Sequence, residues 1–438
     1  MLEVKRRVKM DIGAGGLIDL PNDCRCQHGL AQNFSYYAPI DLEAGQVSFF
    51  EERQNPVNGL QDPYEFTFES MGNYFLDMSS MYLHVRLSVK KANGDAIAAA
   101  AANIWPVENF LNSLFKTVET KVNNHCLQPS ASLGHGYKSL LENLLSVDKS
   151  IHSYLAASMY TGDDATRKSA FKKVQTDSFD LCGPLQNDTL RASGALAPGN
   201  RLTLTLYRQS DQFCLITTEA DTQFKIEIED IAMYGRRILL HPRVLPQVLK
   251  PGQLQTYTMQ HTELHDYPIA ANVKTWSMKL HSGSTLPHQI VIGFVLTSSF
   301  VGDIKSDPYK FQNFALNFIT LRLNGQRTPQ EALTPSYSDN LYNRTLMALY
   351  QNSGRFRVNQ GNSISPSEFK SSKALYVFDI SPDQCSGAHS HVSPGGTIDV
   401  EVSFSTALAK SITCVTLSLY NQILRLGGES VTPVSTLF

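Results

Sequence analysis

Apolar and polar residues alternate along most of this chain. MYLHVRLSVK (81–90), RLTLTLYRQ (201–209), FKIEIEDIAMY (224–234), HQIVIGFVLT (288–297), ITLRLNG (319–325), TIDVEVSFS (397–405) and TCVTLSLY (413–420) follow a period of two. They are rich in Val, Ile, Thr, Tyr and Phe, with turn residues at many of their ends, which predicts strands with one buried and one wetted face. Such strands build antiparallel sandwiches. Two stretches follow a helical period instead. GYKSLLENLLSVDKS (136–150) places Leu140, Leu141, Leu144 and Leu145 on one stripe, and DNLYNRTLMALYQN (339–352) does so with Leu341, Leu346, Leu349 and Tyr350. Asp339 is placed to cap the second helix.

These features recur in one order. NFLNSLFKTVETKVNN begins at Asn109 and NFALNFITLRLNGQ at Asn313, and each ends in a turn, Asn123-Asn124 or Asn324-Gly325. The strand before each, the helix after each, a Phe-Asp-Leu or Phe-Asp-Ile triplet and two later strands also pair, about 187 to 208 residues apart. A β-rich chain always offers strands to align, but chance does not easily keep the helix in place among them. The expectation is one unit written twice, with the turns at Asn124 and Gly325 superposing. A unit of eight short antiparallel strands, with long connections and an inserted helix, is how an eight-stranded jelly roll reads in sequence. The predicted class is therefore mainly β, two tandem eight-stranded antiparallel jelly rolls. An N-terminal arm covers 1–45, the first roll 46–250, the second 251–425 and a C-terminal tail 426–438. HPRVLPQVLKPGQLQ (241–255) reads as the connector and places the boundary near Pro251, while AIAAAAAN (96–103) reads as a loop tip or short helical insertion.

Size and charge refine this picture. At 438 residues the chain exceeds the roughly 250–300 at which single cores stop growing. Its hydrophobic content of 42% suits a substantial core, and a formal charge of −2 argues against wrapping nucleic acid by bulk charge. Seven cysteines, an odd and scattered set, argue against a disulfide framework and for folding in a reducing compartment. The basic start MLEVKRRVKM does not read as a signal peptide, and no run approaches the ~20 apolar residues of a membrane span. On that reading the sequons at Asn33, Asn187 and Asn343 are accidental.

Candidate chemistry is sparse. HSHVSPGG (389–396) sets His389 and His391 on one strand face beside a glycine turn, where they could share a metal. The next acids, Asp399 and Glu401, come too late for the metal set of a cupin, so a polar surface loop is the simpler reading. Cys24, Cys26 and His28 lack a second pair of ligands, and HTELHD (261–266) is not the HExxH of a zinc protease, reading as a loop or strand edge. Glu227, Glu229 and Asp230 lie along a strand and read as a solvated face. Phosphate-cradling loops and nucleophile elbows are absent. No catalytic residue, cofactor or metal is expected, and the chain is not expected to be an enzyme. Lys5, Arg6, Arg7 and Lys9 could contact nucleic acid or direct nuclear import, but an arm that lies against a partner is the preferred reading.

Five segments together resemble a known family. They are ENFLNSLFKTVETKVNN (108–124), GYKSLLENLL (136–145), SSFVGDIKSDPYKFQNFALNFITLRLNGQ (298–326), ALYVFDISPDQ (374–384) and GTIDVEVSFSTALAKSITCVTLSLYNQIL (396–424). In number and order they are similar to the double jelly-roll (hexon-like) major capsid proteins of Polinton/Maverick elements and the related adintoviruses. The family tends to carry Asn before a proline where this chain has Asp307-Pro308. The resemblance implies a homotrimeric, pseudo-hexagonal block of an icosahedral virion, meeting neighbouring capsomers and a penton or minor capsid protein. Two alternatives stay open: a tandem jelly-roll (bicupin-like) metal enzyme or carbohydrate-binding protein using His389 and His391, and a host gene domesticated from such an element.

Overall fold

The computed structural model describes residues 11–12, 16–17, 45–53, 62–69, 72–97, 103–128, 134–148, 152–219, 223–249, 254–356, 362, 364–382, 394–427 and 430–435. The first half contains β1 (Gly45–Arg53), β2 (Tyr64–Glu69), β3 (Tyr74–Lys91), β4 (Phe115–Val122), β5 (His125–Gln128), β6 (Phe179–Gly183), β7 (Arg201–Arg208) and β8 (Phe224–Leu240). The second contains β9 (Gln255–Ile269), β10 (Thr275–Gly283), β11 (Gln289–Leu296), β12 (Leu316–Leu323), β13 (Gln326–Leu333), β14 (Leu375–Asp379), β15 (Gly396–Phe404) and β16 (Ile412–Gly427).

In the first half the sheets run β1-β8-β3-β6 and β2-β7-β4-β5; in the second, β9-β16-β11-β14 and β10-β15-β12-β13. Every pairing within these sheets is antiparallel. Adding eight to each strand number converts one half into the other. Alternation explains why each sheet turns one face inward. In β7, Leu202, Leu204 and Leu206 are fully buried, and in β15 so are Ile398, Val400, Val402 and Phe404. The buried apolar side chains of both halves join into one continuous core. Beyond these sheets, Ile104–Pro106 pairs with Leu215–Thr217, and Ser430–Ser435 folds back along the end of β16.

The two turns expected to correspond do so in topology and in bonding. Each joins the fourth strand of its half to the fifth, with positive φ at both central residues: 48° and 67° at Asn123-Asn124, 49° and 83° at Asn324-Gly325. That conformation is favoured by Asn and Gly and matches strand twist in a two-residue hairpin. In each half the first turn Asn also ties the hairpin to the start of the seventh strand. Asn123 Oδ1 accepts from Arg201 N at 2.8 Å, and Asn324 Oδ1 accepts from Thr397 N at 2.8 Å. The backbone N–H of each Asn returns a bond of 2.9 Å to the carbonyl of the same partner.

The helices depart from expectation in two ways. The predicted ones are present as α1 (His135–Ser146) and α3 (Asn343–Asn352), but each half adds another before its sixth strand, α2 (Asp164–Val174) and α4 (Pro366–Ser371). Asp339 does not cap α3: Tyr342 holds that position without a side-chain cap, and the Asp339 carboxylate accepts from Ser336 instead. His261 and His265 lie on β9, a strand at the edge of its sheet. Residues 98–102 of the alanine-rich stretch and Pro251 fall outside the described residues.

Replacing Asn324 by Ala should cost about 1–2 kcal/mol, combining an unfavourable left-handed backbone with a lost hydrogen bond. Asn324→Gly should cost less, because only the bond is lost. Urea unfolding of the two variants measures this, and equal losses would remove the backbone part of the explanation.

Candidate functional site at the seam between the halves

The richest polar chemistry lies where the halves meet. α1 enters this seam with residues His135–Leu145 all buried, its polar residues included. Tyr137 inserts its ring among Phe300, Tyr309 and Phe311 of the second half and Phe213 of the first, at centroid distances of 5.2 to 6.2 Å. Its hydroxyl donates to Pro308 O at 2.8 Å. Tyr309 reaches back to Ser113 Oγ at 2.7 Å. Gly136 makes this approach possible, since a Cβ there would fall 2.3 Å from the Tyr309 hydroxyl.

One turn along α1, Lys138 Nζ meets Asp188 at 2.6 Å, both side chains only 4% exposed. Asp188 also accepts from Thr262 N at 2.8 Å and from Thr262 Oγ1 at 3.0 Å, so one carboxylate serves a lysine of its own half and a strand of the other. Around this pair most polar groups are partnered, while Asn143 Nδ2 and Thr189 Oγ1 are buried without a hydrogen-bond partner among the described residues. Burial, with Lys138 nearby, pushes the His135 imidazole down to about 3. The ring is therefore neutral, and its Nε2–H donates to Asn112 Oδ1 at 3.2 Å. Burial raises the Glu142 carboxyl against the opposing pull of Arg191, which it meets at 2.8 Å.

A cleft of about 640 Å³ opens on the seam, lined by Trp105, Glu108 and Arg167 of the first half and by Lys305, Asp307 and Lys373 of the second, among others. Most of its charge is already committed. Arg167, 1% exposed, pairs with Glu108 and Asp164 and donates Nε to Pro106 O at 2.8 Å. Lys373 pairs with Glu368 at 2.8 Å. Asp307 has no ion pair among the described residues: burial pushes its carboxyl up to about 6, although Tyr309 N donates to it at 2.9 Å.

The residues singled out in the sequence are not drawn together here. His389, His391, Cys24, Cys26, His28, Lys5, Arg6, Arg7 and Lys9 lie outside the described residues. On β9, His261 and His265 flank Glu263 at 3.4 and 3.6 Å, and bonds from both hold that carboxyl well below its usual range. Among the described residues no group of three His, Cys, Asp or Glu side chains is placed to hold a metal ion. Glu227 pairs with Lys90 at 2.7 Å and Asp230 pairs with Arg53, so that row is an ion-paired strand face. Asn187 is buried and donates to Thr120 Oγ1 at 2.9 Å, which leaves no room for a glycan. Cys182, Cys214 and Cys414 are free thiols. No helix among the described residues is long and apolar enough to cross a membrane.

No protein-family model and no curated protein matches the chain. Solved structures do. VP54 of PBCV-1, fitted into a reconstruction of the virophage Sputnik, superposes with a TM-score of 0.58 at 9% identity, over 92% of this chain and 100% of that one. The Faustovirus major capsid protein gives 0.58 at 10%, over 88% and 91%. The mavirus major capsid protein gives 0.53 at 11%, over 98% and 97%. This chain shares their fold. The likeness covers both halves, with identities low enough that it speaks for architecture alone.

Two outcomes are expected at the seam. Asp188→Ala strands the buried Lys138 charge and the Thr262 N–H, and should cost about 3–5 kcal/mol in chemical unfolding. Thr262→Val should cost only about 1 kcal/mol, and equal losses would show that the ion pair adds nothing beyond that bond. For Asp307 the folded carboxyl binds its proton more tightly than the unfolded one, so stability falls as pH rises from about 4 to about 6. Asp307→Asn should therefore match the wild type near pH 4. Above pH 6.5 it should be more stable by roughly 1–3 kcal/mol, read from melting curves across that range.

Proposed function

We propose that this chain is a virion major capsid protein of the double jelly-roll type, a structural protein and not an enzyme. The observation that carries this reading is the repeated strand order, matched over nine-tenths of the chain by solved viral capsid proteins. On this reading each half is an eight-stranded jelly roll, 46–250 and 251–425, and the segments quoted above support the Polinton/Maverick and adintovirus type. Three copies of two similar rolls would present six similar units around a three-fold axis, a near-hexagonal tile for an icosahedral shell. Its partners would be two further copies, neighbouring capsomers and a penton or minor capsid protein. The arm with Lys5, Arg6, Arg7 and Lys9 and the tail after 425 would reach adjoining subunits.

The metal-enzyme alternative is not favoured by any geometry in the described residues. The seam suits a fixed building block: Asp188 ties Lys138 of the first half to Thr262 of the second, and Tyr137 packs among Phe300, Tyr309 and Phe311.

Light scattering after size exclusion tests the proposal. The expected species has three times the 48.6 kDa mass of the chain, and particles or flat arrays should appear by electron microscopy on concentration. A stable monomer at micromolar concentration, with stoichiometric bound metal, would sink the shell reading and restore the enzyme one.

A further inference from the structure

We propose that Lys138 and Asp188 condense after folding into an isopeptide bond, a side-chain amide that staples α1 to the segment closing the β9 edge. The inference stands apart from the shell reading and does not rest on it. An amine and a carboxyl group react far faster when they are held in contact and in the right orientation than when they are free. Lys138 Nζ lies 2.6 Å from Asp188 Oδ1, and each side chain is only 4% exposed. The segments that carry them are anchored. Leu264 of β9 rests on Gly134, the N-cap of α1, where a Cβ would fall 2.8 Å from Leu264 Cδ2. On the other side, Asn187 donates to Thr120 Oγ1 at 2.9 Å and Ser193 N donates to Thr258 O at 2.9 Å.

As an ion pair the two groups keep opposite charges out of water, which is expensive even when they meet. The amide removes both charges. Its carbonyl oxygen still accepts from Thr262, so the β9 edge stays closed.

The groups around the pair suit the reaction. Asp188 Oδ2 accepts from Thr262 N at 2.8 Å and from Thr262 Oγ1 at 3.0 Å, with His261 Nδ1 3.7 Å away. Donors in that position stabilise the negative oxygen of a tetrahedral intermediate. Glu142, one turn beyond Lys138 on α1, is buried as well, and the charges of Lys138 and Asp188 both act on its carboxyl. Burial raises that carboxyl against the pull of Arg191, so it holds a proton more tightly than a solvated Glu.

Lys138 Nζ gives one proton to Asp188 Oδ1 and bonds to Cγ, which places the negative charge on Oδ2 before Thr262. Glu142 then protonates Oδ1, which departs as water while Oδ2 re-forms the carbonyl. Nζ returns its surplus proton to Glu142. One ammonium and one carboxylate become one amide and one water, with no oxidant or reductant. The bond closes a loop between positions fifty residues apart.

Mass spectrometry of the full chain tests the bond. After the folded protein has stood at neutral pH, the denatured chain should be one water lighter than its sequence. Digestion should give two peptides joined through 138 and 188, which a dehydration elsewhere in the chain does not produce. Asp188→Asn should lose ammonia instead and converge on the same final mass. Glu142→Gln should form the bond at least about 100-fold more slowly, with an unchanged circular dichroism spectrum. A wild type that keeps its full mass and gives no joined peptides overturns the proposal, whether or not the variants fold. A folded Glu142→Gln chain that links at the wild-type rate overturns the part assigned to Glu142.

Discussion

The open edge of β9 is the constraint around which the molecule is organised. An edge strand presents a row of unpaired N–H and C=O groups, and a fold that leaves one uncovered invites the wrong partner. Here Ser193 and Asp188 of the first half close it. A carboxylate can do this in a dry place only if its charge is met, and Lys138 meets it from α1. That lysine in turn requires α1 to lie flat in the seam. Gly134 and Gly136 provide the clearance, and Tyr137 locks the helix against the second half. Packing, charge and backbone pairing are solved together, so no one of them can be altered alone.

The ionisable groups of the seam are mostly engaged with one another. Its histidine is neutral and bonded, its arginine is doubly paired, and its tyrosines are engaged in rings and hydrogen bonds. Burial pushes the Tyr137 and Tyr309 hydroxyls and the Cys214 thiol well above their usual ranges, so all three keep their protons at neutral pH.

Much of the fold could be read from the chain because alternation is a local signal. Leu202, Leu204 and Leu206 announce a strand wherever they sit, and the Asn123-Asn124 and Asn324-Gly325 turns announce hairpins. The seam was not legible, for a physical reason. In KSLLENLL the Lys, Ser, Glu and Asn residues look like the wet face of a surface helix, and only the arrival of the second half makes that face an interior. Lys138 and Asp188 are fifty residues apart, and Thr262 is further still, so no spacing rule connects them. The additional helices left clearer traces. Ser365-Pro366 with Glu368 is a complete capping box with proline at the first turn, and Asp163 caps α2 by accepting from Thr166 N at 2.9 Å. They were obscured by short length and weak amphipathicity, since α4 has only six residues.

The long strands carry a mechanical consequence. β3 has 18 residues and β8 has 17, paired along nearly their whole length, so the ladder spans roughly 60 Å. A force along the strands loads that ladder in shear, and many hydrogen bonds must yield together. A force across the seam meets instead the bonds of Asp188 and Tyr137, a few backbone bonds such as Ser193 N to Thr258 O, and the apolar contacts the halves share. The subunit is thus a stiff plank lengthwise with a softer joint across its width, and a sheet tiled from such planks would flex at the joints before any plank unravelled.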